Sequence, residues 1–243
     1  MAHLPTLSGM VTEVRDSLDE SSASFWTDAQ LERYINRAKD RVYQRVRALN
    51  ADYFTVSRTS NDGTLTILGE SYAASSFAIA IDDTTRDYTL PPDFVEMKQI
   101  EVITSNYEDI RFVHRDLNHP EMRALLSITA GQTPSEFVYD LIGERTMRVA
   151  PFSNTALALR LTYMRMFADL TTDADTLEMP HPLYLAVEDY ATFFALRQDR
   201  SPDAVLYEKT ADKLVAEFSG GHHRQIQDGE SAVAYLAEYT GWQ

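Results

Sequence analysis

The sequence of 243 residues contains no cysteine, which excludes disulfide bonds and metal sites built on thiolates. Glycines are few and scattered, and the sequence has neither a phosphate-binding loop nor a dinucleotide-binding motif. No apolar run approaches the length that spans a bilayer. The first eight residues lack the basic and apolar segments of a secretory signal. We therefore expect a protein without a membrane segment that acts in the compartment where it is made.

Basic residues are scarce relative to acidic ones, 22 against 37, so the net charge at pH 7 is −15. Proteins that grip DNA neutralise its phosphates with lysine and arginine, so this balance argues against nucleic-acid binding. Two interpretations of the charge stay open. It keeps the protein soluble, or it provides a surface that avoids adhesion to DNA and other polyanions.

Catalytic motifs are missing as well. The six histidines show no metal-ligand spacing, and no serine nucleophile motif occurs. The segment 169–178 is acidic but lacks the central glycine of a calcium loop, so we expect a solvated loop. With 37 acidic residues, carboxylate pairs arise by chance, and three of them are Asp82–Asp83, Asp173 with Asp175, and Glu188–Asp189. We expect no catalytic residue, no metal and no cofactor.

Helical periodicity predicts two helices at the start of the chain, over residues 4–18 and from Thr27 to about Asn50. Thr27 followed by Gln30 has the pattern of a capping box. One face of the second helix is apolar. The opposite face is basic, and we interpret it either as solvated surface or as a contact with an acidic neighbouring subunit; its residues are Arg33, Arg37, Lys39, Arg41, Arg45 and Arg47.

The centre of the chain is rich in β-branched and aromatic residues. Asn61-Asp62-Gly63 between two such runs predicts a β-hairpin, and residues 82–85 predict the turn of a second one. Together they make 53–87 look like an inserted pair of hairpins. Further strands are predicted over 97–104, 137–142, 146–150 and 156–166, with a helix over 116–127 and a loop over 131–134.

Two more helices are predicted at the end. Pro180 and Pro182 stand at the start of the first, and Ser201-Pro202-Asp203 begins the second, which Gly220-Gly221 is expected to end. Helices, then strands, then helices predict an α+β fold, in which the terminal helices form a bundle with an inserted antiparallel β-rich region. We expect a helical bundle domain from 1–52 and 180–220, a β-rich domain over 53–179, and a C-terminal docking tail over 221–243.

The tail carries large aromatic and apolar residues close to the end of the chain. Termini are usually frayed unless they are docked, and such residues are enriched at interface hot spots. A helix that folds back on its own domain is the alternative. We predict docking onto a second protein through Tyr235, Leu236, Tyr239 and Trp242.

Several sequence elements occur in a characteristic order. They are Trp26-Thr27-Asp28 with Leu31, Tyr34-Ile35-Asn36 and Ala38; Tyr88-Thr89-Leu90-Pro91-Pro92-Asp93-Phe94; Gly131, Pro134 and Phe137 followed by Pro151; and Leu177-Glu178-Met179-Pro180. This series, over about residues 5–218, resembles the head-to-tail connector (adaptor) proteins of tailed bacteriophages.

The resemblance implies a structural, non-enzymatic subunit of the virion, made in the cytoplasm of the bacterial host. It implies a homo-oligomeric ring of typically about twelve copies beneath the portal protein. A tail nozzle or tail tube protein would bind the opposite face, and DNA would pass through an acidic channel without specific binding. The basic helix face would then supply subunit contacts, through Arg33, Arg37, Arg41 and Arg45.

Other functions remain open from the sequence. One is a tail-tube or gatekeeper protein that stacks one layer lower in the tail. Another is a hydrolase that uses two carboxylates with well-separated pKa values, although no pair stands out. The third is a monomeric binding module.

Overall fold

The computed structural model divides the chain into two compact units, which we call the helical unit (Met1–Tyr53 with Asp169–Gln243) and the β unit (Phe54–Ala168). Their helices and largely antiparallel sheets confirm the predicted α+β class. The structure describes residues 5–20, 25–59, 62–68, 70–77, 80–82, 85–116, 119–120, 135–151, 153 and 155–228, the last eight as backbone.

The predicted terminal helices are confirmed. Thr6 caps the first helix, where its hydroxyl accepts a hydrogen bond from the Gly9 backbone N–H at 3.2 Å. The predicted capping box is present at the second, where the Gln30 side chain accepts from the Thr27 backbone N–H at 2.9 Å. The described helices of this unit are α1 (Leu7–Ser17), α2 (Asp28–Leu49), α3 (His181–Gln198) and α4 (Ala204–Asp228).

Helix α4 continues past the double glycine, so the predicted end at Gly220-Gly221 is wrong. A glycine ends a helix when it adopts a left-handed conformation. Among the described glycines, positive φ occurs at Gly63 and Gly143 but not at Gly220. A glycine that stays helical costs only about 1 kcal/mol relative to alanine, which the rest of a long helix can offset.

Side-chain contacts define how the helices pack. Ion pairs join Arg41 to Glu208 and Arg45 to Asp212, so α2 and α4 run in the same direction. The ring of Tyr190 lies against Arg41, whereas Phe194 lies against the earlier Arg37, so α3 runs the opposite way. The apolar faces meet in a buried core that includes Leu31, Ile35, Val42, Leu183, Val187, Phe194, Ala211 and Val215.

Lys39 does not belong to the exposed basic face that the sequence predicted. It follows Ala38 on the buried side of α2 and is only 1% exposed. Its ammonium lies 2.6 Å from the carboxylate of Asp169, which neutralises it inside the helical unit. The basic face is therefore limited to the arginines of the helix.

The acidic segment before α3 packs against α1, although we placed it with the β-rich part. The backbone N–H groups of Leu7 and Leu177 donate to the carbonyls of Asp175 and Pro5. Within the segment, the Asp175 carboxylate accepts hydrogen bonds from Thr172 and Thr171, which lower its pKa to about 2. The segment is thus a hydrogen-bonded turn of the helical unit.

Strand β10 lies at the centre of the main sheet and pairs antiparallel with β1, β4 and β6. A second sheet has the order β5-β9-β8-β7, in which the β7–β8 pair is parallel, unlike the antiparallel arrangement expected. The strands are β1 (Thr55–Thr59), β2 (Thr64–Ile67), β3 (Glu70–Ala73), β4 (Ala80–Ile81), β5 (Asp87–Thr89), β6 (Phe94–Val102), β7 (Arg111–His114), β8 (Glu136–Ile142), β9 (Thr146–Ala150) and β10 (Leu157–Arg165).

The two predicted hairpins within 53–87 are wrong. Strand β1 pairs with β10 rather than β2, and β5 pairs with β9 rather than β4. The Asp62 carboxylate does mark a turn, because it accepts from the Thr59 backbone N–H at 2.7 Å. A turn residue signals that the chain changes direction, but burial decides which strand becomes the partner. The local hairpin in this region is β2–β3, which places Leu65 and Ile67 in the core.

A buried polar pair lies within the β unit. Tyr163 of β10 is fully buried, and its hydroxyl donates to the Asp93 carboxylate at 2.7 Å. Asp93 is 2% exposed, and the guanidinium of Arg58 lies 3.9 Å away. Desolvation raises the pKa of Asp93 because these partners only partly replace water.

Substitution of Tyr163 by Phe is expected to destabilise the β unit by about 1–3 kcal/mol, because Asp93 loses a hydrogen-bond donor in a buried place. Denaturant unfolding followed by tyrosine fluorescence and circular dichroism measures the change. Tyr107→Phe is the matched control, since that hydroxyl has no hydrogen-bond partner among the described residues. If both substitutions change the free energy of unfolding equally, the hydrogen bond between Tyr163 and Asp93 does not contribute to stability.

Candidate interaction surface

A cleft of about 550 Å³ lies between α2 and α3 in the helical unit; we call it the arginine cleft. Arginines at positions 37, 41 and 45 follow one another by one helical turn, so they share a face of α2. The third helix supplies a further arginine and an aromatic ring. The complete lining is Arg37, Asp40, Arg41, Gln44, Arg45, Phe194 and Arg197.

Two of these arginines are fixed by acidic residues of the same chain. Arg41 lies 2.5 Å from the Glu208 carboxylate, and its guanidinium stacks 4.4 Å from the centre of the Tyr190 ring. Arg45 lies 3.2 Å from the Asp212 carboxylate, which also accepts a hydrogen bond from the Tyr190 hydroxyl. These contacts orient one wall of the cleft and neutralise part of its charge.

The other two arginines of the cleft, Arg37 and Arg197, form no ion pair with any described residue. The guanidinium of Arg37 lies 4.3 Å from the centre of the Phe194 ring, and that of Arg197 lies 5.8 Å from the Phe193 ring. A guanidinium that stacks on a ring keeps its N–H edge available for a carboxylate or phosphate. These two side chains can therefore bind an anion from outside.

The structure brings together three of the four arginines predicted to mediate subunit contacts. Arg33 does not line the cleft, and its side chain donates to the Ala29 carbonyl at 3.3 Å. Sequence reasoning missed Arg197 and Phe194 because they belong to a helix some 150 residues away. The subunit-interface role of Arg33, Arg37, Arg41 and Arg45 stays a prediction.

A second charged surface, which we call the acidic cluster, lies between α1 and α3 and consists of Glu13 and Glu188. Desolvation, reinforced by Glu13 and Asp189, raises the pKa of Glu188 to about 7. Burial raises the pKa of Asp189 to about 6. Neither Glu188 nor Asp189 forms an ion pair with a described residue. From the sequence, Glu188–Asp189 was interpreted as a carboxylate pair that arises by chance, because the burial of the two side chains is visible only in the structure.

Over the described residues, no three metal-binding side chains lie close enough to hold an ion. In the same part of the chain, no helix is long and apolar enough to cross a membrane. The predicted docking residues Tyr235, Leu236, Tyr239 and Trp242 lie outside the described residues, as does most of the predicted helix 116–127.

Comparison with protein families shows a match over most of the chain. The model of a family described as SU10 adaptor protein matches residues 5–233. No curated protein matches the sequence. The matched range includes both the arginine cleft and the acidic cluster.

Replacement of Glu188 by Gln is expected to stabilise the helical unit at pH 8. The pKa of Glu188 is about 7 in the folded chain against an ordinary value of 4.5, so the folded state loses stability as pH rises between these values. Partial exposure reduces the effect to about 1–2 kcal/mol. Thermal unfolding between pH 5 and pH 8 measures it.

The matched control for this substitution is Glu217→Gln on α4, a carboxylate that is 62% exposed and pairs with Lys213. Its pH profile should follow that of the unchanged protein. If Glu188→Gln leaves the difference in stability between pH 5 and pH 8 unchanged, Glu188 carries no unfavourable charge.

Proposed function

Because the chain belongs to the SU10 adaptor protein family, a family of phage head-to-tail adaptors, we propose that it is the structural subunit of a ring that joins capsid to tail. The observation that carries the proposal is the family match over residues 5–233, which extends through both units. In this function the ring is seated beneath the portal protein, and a tail nozzle or tail tube protein binds its other face.

The charge distribution supports a ring of like subunits. A closed ring uses heterologous contacts, in which two different patches of each subunit meet. The helical unit offers a basic patch and an acidic patch, the arginine cleft and the acidic cluster. In the proposed interface Arg33, Arg37, Arg41 and Arg45 face the neighbouring subunit.

The net charge supports the proposed passage of DNA. Each copy contributes −15, so an assembly of about twelve copies is strongly acidic. A negative wall repels phosphates, which lets DNA slide without adhesion. A density map of the assembly that shows a mainly basic channel wall would contradict this part of the proposal.

We assign different contacts of the proposed ring to the two units. In the proposed ring, the helical unit makes the contacts between subunits, and the β unit provides a further surface for the tail or the neighbouring copy. The C-terminal segment 221–243 docks onto the portal or an adjacent subunit. We propose a structural rather than catalytic role throughout.

Mixing the purified protein with the portal protein of the same phage tests the proposal. Negative-stain electron microscopy should show a ring added coaxially to one end of the portal, because the adaptor occupies the junction. The protein alone provides the control for self-association. A folded monomer that does not associate with the portal would instead indicate a lower layer of the tail or an unrelated binding module.

The C-terminal aromatics allow a second test. Substitution of Tyr239 and Trp242 by Ala is expected to weaken portal association by about tenfold or more, since buried aromatics dominate interface energies. Thermal stability should stay unchanged if these rings contact a partner rather than their own chain. Tyr207→Ala serves as the comparison within the helical unit. A loss of thermal stability in the tail variant would indicate that the tail folds back onto its own domain.

A further inference from the structure

We propose that the acidic cluster of one copy, Glu13 and Glu188, docks into the arginine cleft of the next copy, where it pairs with Arg37 and Arg197. This inference rests on the proposed ring and names the contact that closes it. It commits to a second copy of this chain as the occupant of the cleft.

The placement of the two patches suits a head-to-tail contact. Glu188 and Arg197 are nine residues apart on α3, which at 3.6 residues per turn is about half a turn around the axis and about 14 Å along it. Glu188 therefore lies on the side of α3 that approaches Glu13 of α1. Arg197 lies on the side that lines the cleft with α2. Patches on opposite sides of one helix can contact two different neighbours.

The two patches are complementary in their chemistry. Arg37 and Arg197 have no ionic partner among the described residues, and Glu188 has none either. Arg41 and Arg45 are already neutralised by Glu208 and Asp212, so they keep the cleft in shape rather than compete for the ligand.

The acidic cluster is also unfavourable in an isolated subunit. Glu13 and Asp189 repel the charge of Glu188, which is already poorly solvated. The carboxylate of Asp40 in the cleft lies 3.5 Å from the ammonium of Lys39, so this buried cation offsets part of the Asp40 charge. Contact between patches replaces like-charge repulsion by attraction, and complementary charge also steers encounter and fixes register.

The stoichiometry favours a second copy over other anions. Every subunit that presents a cleft also presents an acidic cluster, so the ring supplies its own ligand in equal number. A phosphate of DNA would also suit guanidinium groups. However, the net charge of −15 opposes the approach of a polyanion.

Charge reversal tests the contact directly. Arg37→Glu with Arg197→Glu turns the cleft acidic, and Glu13→Arg with Glu188→Arg turns the cluster basic. Each double variant alone is expected to lose at least tenfold in ring yield on the portal. An equimolar mixture should recover it, because the two variants can alternate around the ring with opposite charges at every contact.

Matched variants make the same changes in charge outside the two patches. They are Lys209→Glu with Arg200→Glu, and Asp16→Arg with Glu217→Arg, all at exposed positions. These variants should form rings as the unchanged protein does. Sedimentation velocity and negative-stain counting measure both sets. If the patch variants assemble as well as these controls, the proposed contact does not exist.

The absence of cysteine permits a second test that does not depend on charge reversal. Glu13→Cys and Gln44→Cys place thiols at two exposed positions, one in each patch. Mild oxidation of an equimolar mixture of the two single variants, with portal present, should give a disulfide-linked heterodimer in clear excess over either homodimer. The chain that carries both substitutions should give a ladder of higher oligomers.

The outcomes separate the contact from the function. Rings on the portal without the heterodimer or the mixture rescue would overturn the contact and leave the adaptor function intact. Absence of rings from the unchanged protein would overturn the ring itself and the contact with it. Protection of the Gln44→Cys thiol by duplex DNA, without the heterodimer, would assign the cleft to nucleic acid instead.

Discussion

The burial of helix α3 organises the helical unit. Nine of its residues are buried, including Tyr190, Phe193 and Phe194, so the helix is enclosed along most of its length by its neighbours. Burial of large aromatic and aliphatic side chains is the dominant favourable term in such a bundle. Polar side chains of α3 can therefore reach the surface only on narrow flanks, and the two charged patches occupy these flanks.

Electrostatics in this protein is local rather than global. The chain as a whole is acidic, yet guanidinium groups gather in one cleft because aromatic rings and carboxylates of α3 and α4 hold them there. Conversely, Glu188 is held near another carboxylate without an ionic partner among the described residues. A net charge describes long-range behaviour such as repulsion of DNA, whereas these local arrangements describe which surfaces can meet.

The β unit shows how burial overrides local turn signals. Strand β10 is apolar along one face, and residues such as Leu159, Leu161 and Tyr163 are fully buried. Strands from distant parts of the chain pair with the edges of β10, because this register brings their apolar side chains into the same core, whichever turn lies next to them. The buried pair of Tyr163 and Asp93 then joins the second motif of the family resemblance to the central strand, which explains a polar residue in that position.

Sequence periodicity and capping residues determined the helices and most strands, because these depend on spacing within one segment. Thr27 and Gln30 define the start of α2, and the order of elements established the α+β class and the family resemblance. Strand partners, the burial of Lys39 and the continuation of α4 through Gly220 needed the tertiary structure. The arginine cleft needed it too, although the arginines of α2 were visible in the sequence. Only packing against α3 and α4 decided that Arg41 and Arg45 are paired internally while Arg37 and Arg197 remain available, because a contact between distant segments leaves no periodic signal in the chain.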